Sequence, residues 1–302
     1  MLEGWIFFSV GAAFFQNLRS ALQKHLKGKL SNNAAAYARF LYALPFACLY
    51  LLILVNFSEK SLPTVNARFF WYCLLGSIAQ IIFTILLLWM FSFRSFAVGT
   101  TFSKLEVFTV AVIGAVVLQD TLNLFAIIAI LISTLGVLAL TAGQTGVTLS
   151  ALVVNLRGRD TAVGLTCALF LGASVVFFRG AALALNHTDV LTTAAFTLTI
   201  ALSLQTLLMG IWIWRFESAQ WRKLFTEWRW CSAVGIAGAF ASIGWFTAFT
   251  LQNASYVRAV GQIELIFTYI FSVYVFREKV TRTETAGILL VGLGILILLL
   301  VA

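Results

Sequence analysis

The chain has 302 residues, of which 61% are hydrophobic and only 10% are charged, and its mean hydropathy is +0.99. A soluble domain carries about 25% charged residues, so this composition excludes an aqueous globular protein. The net charge of +9 is concentrated in a few short segments between apolar runs, and for that reason no nucleic acid is predicted as a partner.

Ten apolar segments are long enough to cross a bilayer as helices, which takes about 20 residues each. In chain order they cover 4–23, 34–54, 69–91, 96–118, 122–141, 161–184, 190–214, 230–251, 254–276 and 285–301. Continuous runs such as IIFTILLLWMF and GILLVGLGILILLLVA argue against a β-barrel, whose segments alternate. The first segment lacks the basic start and A-x-A-like site of a signal peptide, so we interpret it as a span. The predicted fold is an all-α, polytopic membrane protein with ten transmembrane helices.

The connections between these spans differ strongly in charge. Thirteen Lys and Arg residues lie in the odd-numbered connections, whereas only Lys60 and Arg68 lie in the even-numbered ones. Because basic connections stay in the cytoplasm, both termini are predicted to be external, on the periplasmic side. We expect a multi-pass protein of the cell inner (plasma) membrane.

Aromatic residues and cysteines in the spans suggest packing and membrane contact. The four cysteines show no metal-ligand spacing and are interpreted as small apolar packing residues, and no metal site is predicted. Tryptophans near span ends are typical of membrane-interface anchors. These are Trp5, Trp71, Trp214, Trp221, Trp228 and Trp230.

An internal repeat is visible in the polar residues. Lys104-Leu-Glu106 matches Gln262-Ile-Glu264 at an offset of 158 residues, and Arg19-Ser-Ala matches Arg179-Gly-Ala at an offset of 160. The chain is therefore predicted to contain two five-helix repeats, 1–145 and 155–302, joined by a connecting segment, 146–154. Since five is an odd number, the second repeat must be inverted in the membrane. Inverted repeats are a recurring plan of secondary transporters, with the substrate site near mid-membrane at the repeat interface.

Seven charged residues fall inside the predicted spans, although a charge at mid-bilayer costs several kcal/mol. Five are basic and two are acidic, which leaves three positive charges without an intramembrane carboxylate and favours an aqueous cavity. The seven are Arg19, Arg39, Lys104, Glu106, Arg179, Arg258 and Glu264. Arg39 lies close to the start of the second span and fits a snorkelling residue as well as a functional one.

Lys104 and Glu106 are two residues apart, so on one helix they cannot point in the same direction. We expect span four, and likewise span nine with Gln262 and Glu264, to offer one polar group to a cavity and another to a neighbouring helix. Glu264 has no cation beside it in the sequence, whereas Glu106 has Lys104. Glu264 is therefore predicted to be the proton-sensitive group and Glu106 a fixed ionic partner, because a nearby cation lowers a carboxyl pKa.

The residues predicted to bind substrate share a polar side chain inside a span. They are Arg19, Lys104, Glu106, Arg179, Arg258, Gln262 and Glu264, with Asn17 and Gln80 as weaker candidates. Because Arg binds carboxylate and phosphate in a bidentate way, the surplus of basic groups predicts a ligand with at least one anionic group, zwitterions included.

The sequence resembles the EamA-type family of the drug/metabolite transporter (DMT) superfamily. The resemblance rests on ten spans in two five-helix repeats and on an acidic residue at the end of spans four and nine, in LQDTL and FREKV. It implies a carrier without ATP hydrolysis, and the sequence has no G-x-x-x-x-G-K-[ST] loop. Many members of the superfamily have cytoplasmic termini, whereas the charges here predict external ones.

The predicted function is secondary transport of a small polar metabolite, anionic or zwitterionic, by alternating access at a mid-membrane site between the repeats. A flippase for a lipid or lipid-linked carrier is the alternative. An intramembrane enzyme is less well supported, because no H-E-x-x-H motif or paired intramembrane Asp is found. No catalytic residue or cofactor is predicted. Proton coupling and a homodimer are compatible with this plan, and the expected partners are a small-molecule substrate and the lipid bilayer.

Overall fold

The computed structural model describes residues 3–26, 28–58, 61–90, 96–146, 158–274 and 281–301. Within these ranges the secondary structure is helical, without a β-strand, which confirms the predicted all-α class. From residue 147 onward the predicted connecting segment lies outside the described ranges, and so do several basic residues that predict the topology. These are Lys27, Lys60, Arg94, Arg157, Arg277 and Lys279.

The helices follow one another with short connections. Those of the first predicted repeat are α1 (Glu3–Leu26), α2 (Asn32–Ser58), α3 (Ala67–Met90), α4 (Phe96–Ser103), α5 (Glu106–Val117) and α6 (Leu124–Thr145). Those of the second are α7 (Arg159–Ala184), α8 (Val190–Phe216), α9 (Ala219–Thr226), α10 (Trp228–Leu251), α11 (Ala254–Gly261), α12 (Ile263–Tyr274) and α13 (Arg282–Val301).

Seven of the described helices are long and apolar enough to cross a membrane, namely α2, α3, α6, α7, α8, α10 and α13. The other three predicted spans correspond to α1 and to the pairs α4/α5 and α11/α12. The chain is thus a multi-pass membrane protein, while the number of ten spans and the inverted repeat stay predictions.

Predicted spans four and nine are each broken near their middle. Between α4 and α5 the amide of Lys104 donates to the carbonyl of Thr101 at 3.2 Å, and the amide of Leu105 to that of Phe102 at 3.1 Å. Between α11 and α12 the amide of Gln262 donates to the carbonyl of Ala259 at 3.2 Å. These i→i−3 bonds tighten the backbone into a 3₁₀-like turn and keep its polar groups satisfied. A continuous helix, as expected from the sequence, is therefore wrong at both positions.

The described residues divide into two compact units that do not follow the order of the chain. Unit 1 contains Leu86–Ala173 and Asn253–Ala302, and unit 2 contains Glu3–Ile85 and Ser174–Gln252. Each unit draws on both predicted repeats. The division into repeats at 145/155 is a statement about sequence similarity and stays a prediction.

In unit 2, small residues allow close helix packing. α1 packs along α10, and a Cβ placed on Gly244 would lie 2.8 Å from the Cβ of Ala12. α2 packs against α8 and α10, where Gly235 lies against Tyr42. In lipid, helices associate through van der Waals packing and hydrogen bonds, because the hydrophobic effect does not act between them. Glycine at these points lets the helix backbones approach closely.

In unit 1, α6 and α13 form the main contact. Gly136 on α6 lies against Gly287 and Val291 on α13, and Gly294 on α13 lies against Ala129 and Ser133. The ends of α6 are fixed by local caps, since the Asn123 side chain accepts from the Ala126 amide at 2.7 Å.

Large apolar side chains cover the outside of both units; Phe7, Val116 and Leu300 are 76%, 77% and 87% exposed. Such faces are expected where helices meet lipid. Of the predicted interface anchors, Trp71 and Trp214 are 59% and 69% exposed, but Trp5 is 3% exposed and belongs to the core. The prediction is wrong for Trp5, because position near a span end does not reveal which face of the helix is buried.

Candidate polar sites in the two units

The predicted site residues fall into two groups, one in each compact unit. Lys104, Glu106, Arg258, Gln262 and Glu264 lie in unit 1, whereas Asn17, Arg19, Gln80 and Arg179 lie in unit 2.

In unit 1 the two helix breaks are joined by ion pairs. The guanidinium of Arg258 on α11 donates to the carboxylate of Glu106 on α5, and both side chains are almost fully buried. Lys104 Nζ, in the first break, lies 3.2 Å from Oε1 of Glu264 on α12. We call these four residues the paired cluster. Both acids lie in the first turn of a helix, where the helix dipole favours negative charge.

The two ion pairs differ in their access to solvent. The side chains of Arg258 and Glu106 are 5% and 7% exposed, whereas that of Lys104 is 30% exposed. Water can therefore replace Glu264 as the partner of Lys104 more easily than it can replace Glu106 as the partner of Arg258. Lys104 and Glu106 both form ion pairs with the α11/α12 segment. The expectation that one of them faces a cavity and the other a neighbouring helix is wrong, because it assumed a continuous helix and the helix is broken between the two residues.

Gln262 occupies the second break itself and is only 1% exposed. Its Oε1 accepts no hydrogen bond from the described residues. A buried acceptor without a donor costs about 1–3 kcal/mol, which makes this amide an uncommon feature of an otherwise satisfied turn.

In unit 2 the central group is Arg39, which sequence analysis left outside the predicted site. Its Nη1 donates to Oγ1 of Thr84 at 3.3 Å, and its guanidinium lies 5.2 Å from the centre of the buried Phe40 ring. No carboxylate of a described residue pairs with it.

Gln80 on α3 continues this contact. With its amide oriented to satisfy every neighbour, Oε1 accepts from Nη1 and Nη2 of Arg39, each at 3.2 Å. The amide nitrogen then donates to Oγ of the buried Ser174 at 2.8 Å. This orientation is assigned from the hydrogen-bond network. A polar chain thus runs from α2 through α3 to α7.

Arg19 on α1 lies beside Arg39 and is 6% exposed. Both side chains converge on Gly238 of α10, where a Cβ would lie 3.5 Å from Cδ of Arg19 and 3.8 Å from Cγ of Arg39. The missing side chain at Gly238 leaves room for the two stems. We call Arg19, Arg39, Gln80, Thr84 and Ser174 the arginine cluster.

Arg179 on α7 has a different environment. Its guanidinium donates to the carbonyl of Phe249 at 2.8 Å and also to that of Gln252, at the C-terminal end of α10. A cation at this end complements the helix dipole. Asn17 is half-buried on α1. Thus Gln80 and Arg19 each lie next to Arg39, whereas Arg179 caps a helix.

Three residues of the arginine cluster were missed by the sequence analysis: Arg39, Thr84 and Ser174. Hydroxyl residues are common in apolar spans, and nothing in the sequence marked Thr84, which accepts from Arg39, or Ser174, which accepts from Gln80. Arg39 could have been included in the predicted site, because it is one of five intramembrane cations that face only two intramembrane acids in the sequence. Among the described residues, no group of three or more His, Cys, Asp and Glu could hold a metal ion.

The apolar helices cross a membrane and enclose charged side chains, which is typical of membrane proteins that handle polar ligands. Residues 161–300 match the sequence model of the EamA-like transporter family, which is part of the DMT superfamily. The predicted resemblance is confirmed. The matched range agrees closely with the predicted second repeat, and the family indicates a membrane transporter of the DMT type.

The fold is similar to that of a crystal structure described only as that of a protein. The TM-score is 0.67, the identity is 12%, and the alignment covers 99% of each chain. At this identity the similarity concerns the fold alone. No curated protein matches the sequence.

Proposed function

We propose that this protein is a secondary transporter that carries a small polar metabolite with at least one anionic group, zwitterions included. The observation behind the proposal is Arg39, which lies inside the apolar helix α2 with neutral polar groups as its described hydrogen-bond partners. A positive charge in a membrane span is costly unless a partner compensates it. A bound anion would supply that partner.

The geometry of the arginine cluster suits a carboxylate or phosphate. Arg39 and Arg19 approach each other across Gly238, so two guanidinium groups can act on one ligand. Bidentate contacts to planar or tetrahedral oxyanions are the strong form of this interaction. Gln80 and Thr84 hold the Arg39 side chain and restrict its rotamers before a ligand arrives.

Both predicted repeats contribute to this cluster. Arg19, Arg39 and Gln80 come from the first repeat, and Ser174 and Gly238 come from the second. A mid-membrane site built from two inverted repeats is the plan expected of alternating-access carriers. This composition of the cluster supports a carrier. The small-molecule substrate and the lipid bilayer are its proposed partners, and a homodimer is compatible with it.

The decisive experiment is a thermal-shift screen of the purified protein against anions, zwitterions and cations, followed by uptake into proteoliposomes. We expect ligands with an acidic group to stabilise the wild type, and Arg39→Gln to abolish that stabilisation. Arg68→Gln removes an exposed cation from the first turn of α3 and serves as the matched control. Binding of cations alone, unchanged in Arg39→Gln, would overturn the proposal.

Proton coupling is proposed for Glu264. Its partner Lys104 is the more exposed of the two cations in the paired cluster, so a proton on Glu264 would release a cation that can reach water. Transport should be measured against pH for the wild type, Glu264→Gln and Glu106→Gln. We expect Glu264→Gln alone to flatten the pH dependence. Normal transport with an unchanged pH profile in Glu264→Gln would refute this role.

External termini and an inner-membrane location are proposed from the basic residues of the odd-numbered connections. A reporter that is active only in the periplasm, fused after Ala302, should be active. Activity of a cytoplasmic reporter at the same position would reverse the topology. The opposite reporter on the connection near Lys29 provides the control.

A flippase is favoured by one observation. An apolar cavity of about 280 Å³ lies between α5 and α6, lined by residues that include Phe108, Val112 and Leu131, with Asp120 also in its wall. These side chains face outward, where an acyl chain could enter. Scrambling of a fluorescent lipid by the wild type, abolished in Val112→Trp while uptake of soluble anions persists, would support this second function.

A further inference from the structure

The short helix α9 connects two membrane-crossing helices. α8 ends at Phe216, α9 covers Ala219–Thr226, and α10 begins at Trp228. Because both neighbours are long apolar spans, α9 must lie where the chain leaves and re-enters the membrane. Amphipathic helices at this position rest in the head-group region.

One face of α9 is fixed to the protein. Leu224 is fully buried, and its carbonyl accepts a hydrogen bond from the Tyr42 hydroxyl at 3.0 Å. The Trp221 ring packs edge-on against Tyr37, with the ring centres 5.5 Å apart. The orientation of α9 is therefore set by contacts to α2, and the residues on its other face are held outward.

The outward face combines aromatic and basic side chains. Phe225 and Trp228 are 60% and 54% exposed. Arg222 and Lys223 are exposed on α9, and Arg215 and Arg229 are exposed just before and after it. We call Arg215, Arg222, Lys223, Phe225, Trp228 and Arg229 the α9 surface.

The acidic residues of the same segment do not neutralise this surface. The carboxylate of Glu217 accepts from the Ser31 hydroxyl and from Nδ2 of Asn33, the latter at 2.5 Å. Glu227 pairs with Lys29 at 3.0 Å. Both acids thus turn toward the start of α2. No carboxylate of a described residue pairs with Arg222 or Lys223, so their charge is available to an external partner.

We propose that the α9 surface binds the head groups of anionic phospholipids in the leaflet that it faces. The phosphates would contact the four basic groups, while the rings of Phe225 and Trp228 insert among the upper acyl carbons. Basic residues close to an anionic membrane surface each contribute about a fivefold gain in affinity. The proposal does not depend on what the protein transports.

A lipid fits this surface better than a protein or nucleic acid. The exposed rings adjoin the ends of two spans, so lipid surrounds them in the folded protein. The basic groups occupy the same short segment and lie at head-group depth. The surface therefore matches the two parts of a phospholipid, an apolar chain beneath an anionic group.

Native mass spectrometry of the full chain tests the proposal, with phosphatidylglycerol and phosphatidylcholine offered in equal amounts. We expect the wild type to retain phosphatidylglycerol preferentially. Arg222→Gln/Lys223→Gln should reduce that preference by about fivefold for each charge removed. Arg68→Gln/Arg282→Gln removes two other exposed cations and is the control; it should bind as the wild type does. Arg222→Lys/Lys223→Arg keeps both charges and should restore binding.

Two results would overturn the proposal. One is an equal preference for phosphatidylglycerol in the wild type and in Arg222→Gln/Lys223→Gln. The other is an equal loss in the control pair, which would assign the effect to net charge alone. Size-exclusion profiles and melting temperatures of all variants show whether they are folded, and a change in binding at unchanged melting temperature supports the α9 surface.

Discussion

The paired cluster of unit 1 and the arginine cluster of unit 2 contain the same kind of group, a guanidinium within a membrane protein, in two different situations. Arg258 meets the carboxylate of Glu106, and the charges cancel locally. Arg39 meets a hydroxyl and an amide, which orient it without cancelling its charge. The first arrangement has its counter-ion within the protein, and the second is the one for which we propose an anionic ligand. The partner of a buried cation therefore tells more about its role than its burial does.

The largest expected effect concerns the buried pair of unit 1. Glu106→Gln would remove the carboxylate that accepts from the Arg258 guanidinium, and breaking a buried pair costs about 3–5 kcal/mol. Melting temperature in detergent should fall sharply. Glu106→Gln/Arg258→Met removes both charges and should recover part of the loss. A single variant as stable as the wild type would mean that the pair does not stabilise the fold.

The next effect separates the two arginines by a conservative change. Arg39→Lys keeps the charge but loses the planar fork, and we expect the affinity for an anionic ligand to fall about tenfold, or about 1.4 kcal/mol. Stability should change little, because no described carboxylate depends on Arg39. Titration calorimetry and melting curves measure the two quantities. Loss of stability without loss of affinity would make Arg39 a structural residue.

A smaller effect is expected at the second ion pair. Glu264→Gln frees Lys104, whose side chain is 30% exposed and can be hydrated in place, so the cost should be about 1 kcal/mol. Comparison with Glu106→Gln in the same detergent is the measurement. If both variants lose equal stability, the difference in exposure between the two pairs does not determine their energetics.

The smallest effect concerns Gln262. Gln262→Met removes a buried amide oxygen that accepts no described hydrogen bond, so stability should stay within about 1 kcal/mol of the wild type or increase. Transport should be assayed in parallel. A strong loss of stability would show that the amide has a structural partner, and a loss of transport alone would assign it to the site.

The sequence predicted the parts of this molecule that depend on apolar length, since the apolar runs predicted the helices. Anionic compensation of the excess intramembrane cations stays a prediction. The break at Lys104 could not be predicted, because no proline or glycine lies in SKLE and the tight turn there depends on tertiary contacts. At the other break, Gly261 immediately precedes Gln262.

Which acid pairs with which base could not be predicted from the sequence either. Glu264 has no adjacent cation in sequence, yet Lys104 reaches it from a distant part of the chain. The choice of Glu106 for Arg258 depends on which helices pack together. The burial of Trp5 likewise depends on helix packing, because α10 covers one face of α1 and leaves the other face to lipid. Local sequence does not carry this information.

The interleaving of the two units has a consequence for biosynthesis. Unit 2 ends at Gln252, whereas unit 1 needs Asn253–Ala302. As the ribosome delivers the chain from its N-terminus, unit 2 can be completed while α6 still presents Gly136 and its neighbours to lipid. That face is covered by α13, which is synthesised after all of unit 2. A chain that terminates before Arg282 should leave unit 1 open to quality-control proteases while unit 2 stays folded.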